Sequence, residues 1–180
     1  MDLWTQQFGL VDDCLRACVF GEYIWSQNPP EDSAWPALSD ICYSDAIISW
    51  NQLFGQRSQE THWTKLVKNI EIPDGDKLKP FNKEMIITYL GIIEKEWEAF
   101  HKLMVDSRNT RVAHLNVGFS IYTLPNITKA MHTAYLYRDW LTEALHLGNR
   151  LGYNINVSQD RAKDAVEKYR ELIANAYSGL

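Results

Sequence analysis

Residues 82–104 read NKEMIITYLGIIEKEWEAFHKLM and carry the strongest helical pattern in the chain. Apolar residues recur there at steps of three and four, the spacing of one face of an α-helix. These residues are Ile86, Tyr89, Leu90, Ile93, Trp97, Phe100, Leu103 and Met104. Asn82 precedes them and belongs to the residue types that cap helix N-termini. The pattern predicts one helix about 35 Å long at about 1.5 Å per residue, and its apolar face makes it the expected central helix.

Other segments of the chain have the same helical spacing. The further predicted helices are residues 3–26, Ser33–Gly55, Pro125–Gly148 and a segment that begins at Ser158. Residues 56–81 contain the breakers Pro73, Gly75 and Pro80, with a short helix expected around residues 61–67. No alternation of period two marks a β-strand. The sequence therefore predicts an all-α fold, an antiparallel bundle of four to five long helices, in a single domain spanning residues 1–180.

Composition limits what the chain can bind. The formal net charge of -5 argues against general electrostatic attraction to nucleic acid, so an RNA contact would require a local basic patch. The chain starts without the basic residues of a secretory signal and has no apolar run of about 20 residues, so we expect a cytoplasmic protein without membrane contact.

Cys14, Cys18 and Cys42 are either small buried helix residues or a metal or redox group. Because no Cys/His spacing completes a zinc site, we expect neither a metal nor another cofactor.

Side chains suited to binding and catalysis are concentrated in the segment after the strongest helical pattern. Residues 106–116 read DSRNTRVAHLN and bring two arginines, an asparagine and a histidine within nine positions. Arginine offers a fixed fork of donors that suits phosphate oxygens, and histidine exchanges a proton near neutral pH. The segment therefore indicates phosphate chemistry. The spacing alone is weak support, because Arg57 and His62 have a similar one elsewhere in the same chain.

Helical geometry sets a condition on this segment. Arg111 and His114 share one side of a helix, whereas Arg108 and His114 are about 240° apart on a continuous α-helix. Three arrangements would bring Arg108 to the same phosphate: its long side chain, a break in the helix, or a second copy of the protein. The third arrangement predicts a composite site across a homodimer.

Four stretches of the chain resemble a known protein family. Arg108-Asn109 followed by Val112-Ala113-His114 resembles the signature of the HEPN superfamily, in which an arginine and a polar residue precede a histidine. Residues 49–55 (SWNQLFG) and His62-Trp63 are similar, more narrowly, to its abortive-infection U-type branch. The likeness covers roughly residues 40–145. It implies a HEPN-like helical bundle that acts as a dimeric, metal-independent endoribonuclease of a bacterial toxin-antitoxin or phage-defence system, or a descendant that has lost catalysis.

The resemblance also implies roles for single residues. His114 would be the general acid or base on the ribose 2′-hydroxyl or the leaving oxygen, and Arg108 would bind the scissile phosphate. Asn109 would orient one of these groups or the phosphate. We assign Arg111, from helical geometry, and Asn116 to substrate binding. Cleavage would leave a 2′,3′-cyclic phosphate, DNA would resist, and an antitoxin or a nucleotidyltransferase-type protein would be a possible partner.

Structural explanations of the same residues stay open. Arg108 and Arg111 could cap helix carbonyls or pair with Asp106, while His114 could be a half-buried histidine without a catalytic role. His62-Trp63 with Arg57 could contact nucleic acid through base stacking or simply cover the edge of the core. On this alternative the chain is a non-catalytic helical interaction or regulatory module, which the acidic balance and abundant aromatic residues favour.

Overall fold

The computed structural model describes residues 2–73, 75–112, 125–150 and 160–179. Within these residues the chain forms seven α-helices and one π-helical turn and has no β-strand, which confirms the predicted all-α class. The helices are α1 (Leu3–Ser26), α2 (Trp35–Phe54), α3 (Trp63–Val67), α4 (Lys83–Leu90), α5 (Glu94–Ser107), α6 (Ile127–Arg150) and α7 (Ala162–Ser178). The π-helical turn spans Arg108–Val112. No described helix is both long enough and apolar enough to cross a membrane.

The centre of the fold is α1, which packs against α2, α3, α6 and α7. It runs antiparallel to α6, because Gln7 contacts Tyr137 at one end and Glu22 contacts Thr128 at the other. It also buries small residues, and a side chain added at Gly21 would lie 3.3 Å from the ring of Tyr43. The prediction that residues 82–104 form the central helix is therefore wrong. Small residues let three long neighbours approach α1, which a count of large apolar residues does not reveal.

The predicted continuous helix over residues 82–104 is also wrong, because it is divided at Gly91. Asn82 caps α4 as predicted, accepting from the backbone N–H of Met85 at 2.9 Å. Gly91 then adopts φ 63° and ψ 33°, the left-handed conformation that glycine tolerates at helix C-termini. The side chain of Glu96 caps the start of α5 by accepting from the N–H of Ile93 at 3.0 Å. The break turns Tyr89 and Ile93 outward, and both are exposed.

Two residues do not have the helix-boundary role predicted from the sequence, and other predicted boundary residues lie outside the described residues. Ser33 does not cap α2, which begins at Trp35 without a side-chain cap, because the Ser33 hydroxyl donates to the carbonyl of Pro30 at 2.6 Å. Gly148 and Gly152 are the predicted end of α6; the helix is described to Arg150 with Gly148 buried inside it, and Gly152 lies outside the described residues. The proposed cap of the last helix, Ser158, lies outside the described residues.

Some residues of the predicted apolar faces point away from the core. The exposed members in α1, α2 and α7 are Trp25, Leu38, Ile41 and Leu172. In α2 the buried residues include Ala46, Ile47 and Trp50. Trp50 is fully buried and packs against Trp97 of α5 with ring centroids 6.0 Å apart. This contact fixes α5 on the C-terminal half of α2, where both candidate sites lie.

Candidate functional site

The predicted catalytic segment begins where α5 ends. Arg108 and Asn109 are fully described and lie in the π-helical turn that follows Ser107. Arg111 belongs to the same turn by its backbone. His114 and Asn116 lie outside the described residues. The structure therefore reports the arginine and asparagine of the predicted site, and the role of His114 stays a prediction.

The Arg108 side chain is held close to its neighbour. Its Nη1 donates to the Oδ1 of Asn109 at 3.3 Å, and both side chains are half-buried. The alternative pairing of Arg108 with Asp106 does not occur, since the Asp106 carboxylate accepts from Lys102 at 2.7 Å. Among the described residues Arg108 forms no ion pair, so its charge is not neutralised there.

The π-helical turn is anchored by α2. The buried Asn51 donates through Nδ2 to the carbonyl of Met104 at 3.0 Å and to that of Ile47 at 2.8 Å. The carbonyl of Asp106 accepts from the hydroxyl of Thr110 at 2.7 Å. A π turn shifts the backbone hydrogen bonds by one residue, and these side chains supply additional partners to carbonyls around the shift. Asn51 lies in the SWNQLFG stretch, and the Met104 carbonyl that it binds is four residues before Arg108.

The π turn affects the predicted angular separation of Arg108 and His114 around the helix. Arg108 and His114 would be far apart around a regular α-helix, and a break in the helix was one of three ways to relieve this. The hydrogen-bond pattern of α5 changes at Arg108 itself. Single π turns inside or at the ends of α-helices are rare and occur frequently at functional sites.

A second candidate site is a cavity of about 400 Å³ between the end of α2, the start of α3, α4 and α5. The residues that line it are Phe54, Gly55, Arg57, His62, Trp63, Lys83, Ile86, Trp97, Glu98 and His101. The cavity thus contains the second arginine–histidine segment of the chain, Arg57 to His62. The cavity also contains His101 of α5, which the sequence analysis did not associate with that segment.

The imidazole of His62 is fixed at the wall of this cavity. Its Nδ1 accepts from the backbone N–H of Thr64 at 3.3 Å and lies 2.8 Å from the Thr64 hydroxyl, so His62 caps α3. Because Nδ1 accepts, the proton of the neutral ring is on Nε2. Burial, with the charges of Arg57, His101 and Lys65 nearby, lowers the pKa of His62 to about 4. The ring is therefore neutral at physiological pH and offers one donor.

His101 has the opposite tautomer. Its Nε2 lies 2.8 Å from the carbonyl oxygen of Phe54 and 3.2 Å from that of Gly55. Carbonyls only accept, so Nε2 donates and Nδ1 of the neutral ring is an acceptor. Glycine is required at position 55 because the backbone there lies close to that of Asn51: a Cβ on residue 55 would be 2.5 Å from the carbonyl oxygen of Asn51.

Buried hydrogen bonds hold the loop that carries His62. The amide Nε2 of Gln7 donates to the carbonyls of Thr61 and His62, each at 3.1 Å. The Gln7 Oε1 accepts from the hydroxyl of Tyr137 in α6. Thr61 donates through its own hydroxyl to the carbonyl of Gln52 at 2.9 Å. Three helices therefore fix the backbone of this wall.

The two candidate sites lie on one face of α5. His101 and Arg108 are seven residues apart, which returns to nearly the same side of the helix, about 10 Å further along its axis. The last turns of α2 support both, since Asn51 contacts the start of the π turn and the carbonyls of Phe54 and Gly55 bind His101.

The cysteines, the remaining candidate residues of the sequence analysis, lie in helices of the bundle. Cys14 and Cys18 are buried in α1, and Cys42 is half-buried in α2. In the part of the chain that the structure describes, no three His, Cys, Asp or Glu side chains gather closely enough to bind a metal ion.

Comparison with known protein families, with curated proteins and with solved structures gave no match to this chain. The resemblance to the HEPN superfamily therefore depends on the residues quoted above, and the function has to be argued from the two sites.

Proposed function

We propose that the chain is a HEPN-type, metal-independent endoribonuclease of a bacterial toxin-antitoxin or phage-defence system, with a HEPN-like bundle and a homodimeric assembly. The observation that carries the proposal is the setting of Arg108. Its half-buried guanidinium lies beside the amide of Asn109, on a π turn that Asn51 anchors. A preorganised arginine that no carboxylate of the described residues neutralises, next to a polar partner, suits stabilisation of a phosphorane-like transition state.

The proposed reaction uses the ribose itself as the nucleophile. His114 accepts the proton of the 2′-hydroxyl, the 2′-oxygen attacks the phosphorus, and the bond to the 5′-oxygen breaks. The leaving oxygen takes up a proton, so the products are a 2′,3′-cyclic phosphate and a 5′-hydroxyl. Arg108 offsets the negative charge that gathers on the phosphoryl oxygens, and Asn109 orients the guanidinium. DNA resists because it lacks the 2′-hydroxyl.

The proposal also includes two substrate-binding residues, a second copy of the chain and a protein partner. Arg111 and Asn116 would contact the RNA on either side of His114. A second copy of the chain would bring the Arg108 of one protomer and the His114 of its partner to one phosphate, as the 240° separation on a regular helix suggests. An antitoxin or a nucleotidyltransferase-type protein would bind the dimer and control it.

A second candidate function is supported by exposed apolar side chains. Trp25 is 68% exposed and Ile41 is 63% exposed, near the C-terminal end of α1 and the N-terminal half of α2. These helix ends are close together, because the hydroxyl of Ser39 contacts the carbonyl of Gly21. Apolar side chains grouped on a surface favour protein interaction. On this alternative the chain is a degenerate, non-catalytic HEPN domain that acts as an interaction module.

The test is cleavage of RNA without metal. Purified protein is incubated in EDTA with single-stranded and structured RNA and with DNA of the same sequence, and the products are analysed for 2′,3′-cyclic phosphate ends. We expect RNA cleavage by the wild type, and at least a hundredfold loss in Arg108→Ala and His114→Ala. Matched controls are Arg170→Ala and His132→Ala, which change exposed residues elsewhere.

Three results would contradict the proposal. They are cleavage that depends on added metal, equal cleavage of DNA, and cleavage that is unchanged in both site variants. An intact wild-type protein that cleaves none of the RNAs would favour the interaction module.

A further inference from the structure

We propose that the cavity between His62 and His101 binds one unpaired nucleotide of an RNA chain, with the base against Trp63 and the phosphate at Arg57. The cavity volume of about 400 Å³ lies within the range of small-molecule sites. The lining combines aromatic rings with a few polar groups of fixed direction, which is the composition that recognises a flat, polar ligand.

The two imidazoles give the cavity complementary hydrogen-bonding groups. His62 uses Nδ1 to cap α3 and keeps a donor at Nε2, whereas His101 donates through Nε2 and keeps an acceptor at Nδ1. Nucleobase edges carry donors and acceptors side by side. Glu98, at the same wall, adds carboxylate oxygens that accept hydrogen bonds.

An aromatic platform lies in the same wall. Trp63 is half-buried, and its ring has an edge contact with Phe81 at 5.2 Å between centroids and a tilted contact with the ring of His62 at 5.5 Å. Stacking on an indole suits any base, because every base has a π-face. A ring that is already held by its neighbours loses little conformational freedom when a base stacks on it.

The charge at the cavity mouth favours a phosphate. Arg57 is exposed and forms no ion pair among the described residues, so its fork of donors is available. Lys83 lines the same cavity, although its ammonium group lies 2.5 Å from Glu94. In a chain of net charge -5, an RNA contact requires a local cation, and Arg57 is a cation of this cavity that no described carboxylate neutralises.

The cavity walls are fixed in advance of binding. Gln7 holds the carbonyls of Thr61 and His62 from α1, and Tyr137 holds Gln7 from α6. Such buried support keeps a recognition group in place without cost at the moment of binding. These contacts therefore order the loop that carries Arg57 and His62. A loop that only shields the core from solvent would not need them.

The position of the cavity connects it to the proposed catalytic segment. His101, in its wall, precedes Arg108 by seven residues, about 10 Å along the helix axis, a separation that a short run of single-stranded nucleotides spans. The choice of RNA as the polymer rests on the proposed function. The assignment of a base and a phosphate to this cavity rests on the residues that line it.

The test measures binding with RNA that cannot be cleaved. Four fluorescently labelled 2′-O-methyl RNA hexamers, one for each base, are titrated with the full chain in EDTA and followed by anisotropy. We expect saturable binding that is about tenfold weaker in Trp63→Leu and within threefold of the wild type in Trp63→Phe, which keeps an aromatic face. The matched control Trp25→Leu changes an exposed tryptophan elsewhere and leaves binding unchanged.

The phosphate contact has its own readout. Arg57→Ala is expected to weaken hexamer binding about fivefold and to lower the slope of log affinity against log salt by about 0.7, the share of one phosphate contact in a single strand. Arg170→Ala is the matched control and keeps the wild-type slope. Arg57 is exposed, so this variant folds even if Trp63→Leu does not, and far-UV circular dichroism checks both.

The outcomes separate this inference from the proposed function. Absence of saturable hexamer binding, or wild-type affinity in both Trp63→Leu and Arg57→Ala, would overturn it. The matching nucleoside 5′-monophosphate binding as tightly as its hexamer would overturn the assignment to an RNA chain. Cavity-dependent binding without any RNA cleavage would support the nucleotide site and remove the nuclease. Cleavage that needs Arg108 while cavity variants bind normally would do the reverse.

Discussion

The segments Arg57–His62 and Arg108–His114 each place an arginine five or six positions before a histidine, yet their surroundings differ. In the first, the imidazole is buried to 3% exposure and caps a helix, while the arginine is exposed at a cavity. In the second, the arginine is half-buried beside an amide at the start of a π turn. The spacing of the two residue types therefore does not identify the role of a segment. What distinguishes the two segments is the contacts of each side chain: a helix cap for His62 and an amide partner for Arg108.

The two segments are not independent, because α2 supports both. Asn51 binds the carbonyl of Met104 just before the π turn, and three residues later the carbonyl of Phe54 begins to hold His101. Gln52, between them, accepts from Thr61 and thereby holds the loop that carries His62. A change in one segment can thus be compared with the matching change in the other on a common scaffold.

The largest expected difference between the segments concerns the shape of the cation. Arg108→Lys keeps the charge but loses the planar fork that contacts Asn109, so we expect RNA cleavage to fall about 10²- to 10³-fold. Arg57→Lys keeps a point charge near a phosphate and is expected to change cleavage less than about threefold. Single-turnover cleavage rates at saturating protein check the pair. Equal losses in both variants would remove the distinction between the segments.

A second expected difference concerns how firmly each segment is held. Gln7→Leu removes three buried hydrogen bonds and leaves the Tyr137 hydroxyl and the Thr61 carbonyl without partners, so we expect a loss of about 3 kcal/mol in the free energy of unfolding. Asn51→Leu is expected to cost about 1 kcal/mol, because the Met104 carbonyl still accepts from the N–H of Arg108. Urea denaturation measures both, and the exposed Gln56→Leu serves as control. A larger loss for Asn51→Leu would reverse the order of support inferred for the two segments.

The pH dependence of stability isolates the buried histidine. In the folded protein His62 stays neutral down to its pKa of about 4, whereas in the unfolded chain a histidine binds a proton below about 6.5. Stability from this residue is therefore fully present above pH 6.5 and is lost as the pH falls towards 4. We expect the loss to be about 2 kcal/mol, less than the full shift implies, because the ring borders a cavity that water enters.

The matched variant for this measurement is His62→Asn, since asparagine also caps a helix start. Its unfolding free energy, measured in urea at pH 7 and pH 4, should fall by about 2 kcal/mol less than that of the wild type. His132→Asn, at an exposed position, should behave as the wild type. If His62→Asn and the wild type lose the same stability over this interval, His62 is not the buried neutral group inferred here.

Much of the fold followed from local pattern, and the site did not. The start and end of α1 were predicted to the residue, because its apolar spacing and the Pro29-Pro30 stop are local signals. The break at Gly91 was missed, since apolar residues continue on both sides of it and hide the change of direction. Within the candidate site, Arg108 and Asn109 stood out by residue type, but the π turn also depends on Asn51, more than fifty residues earlier. The contribution of His101 to the cavity was likewise invisible, because only the packing of α5 on α2 brings it near His62.

The smallest expected effect concerns the ion pair between Glu94 and Lys83 at the cavity. Glu94 lies in the first turn of α5 and holds the ammonium group of Lys83, at the start of α4, 2.5 Å away. Glu94→Gln removes this exposed pair, which contributes little to stability, so the midpoint of urea unfolding should stay nearly unchanged. It also frees the second cation at the cavity for a phosphate, and hexamer binding should tighten about twofold. Glu31→Gln, which changes an exposed acidic residue before the start of α2, is the matched control. Weaker binding in Glu94→Gln alone would mean that Lys83 is needed in its present position as part of the cavity wall, and not as a free charge.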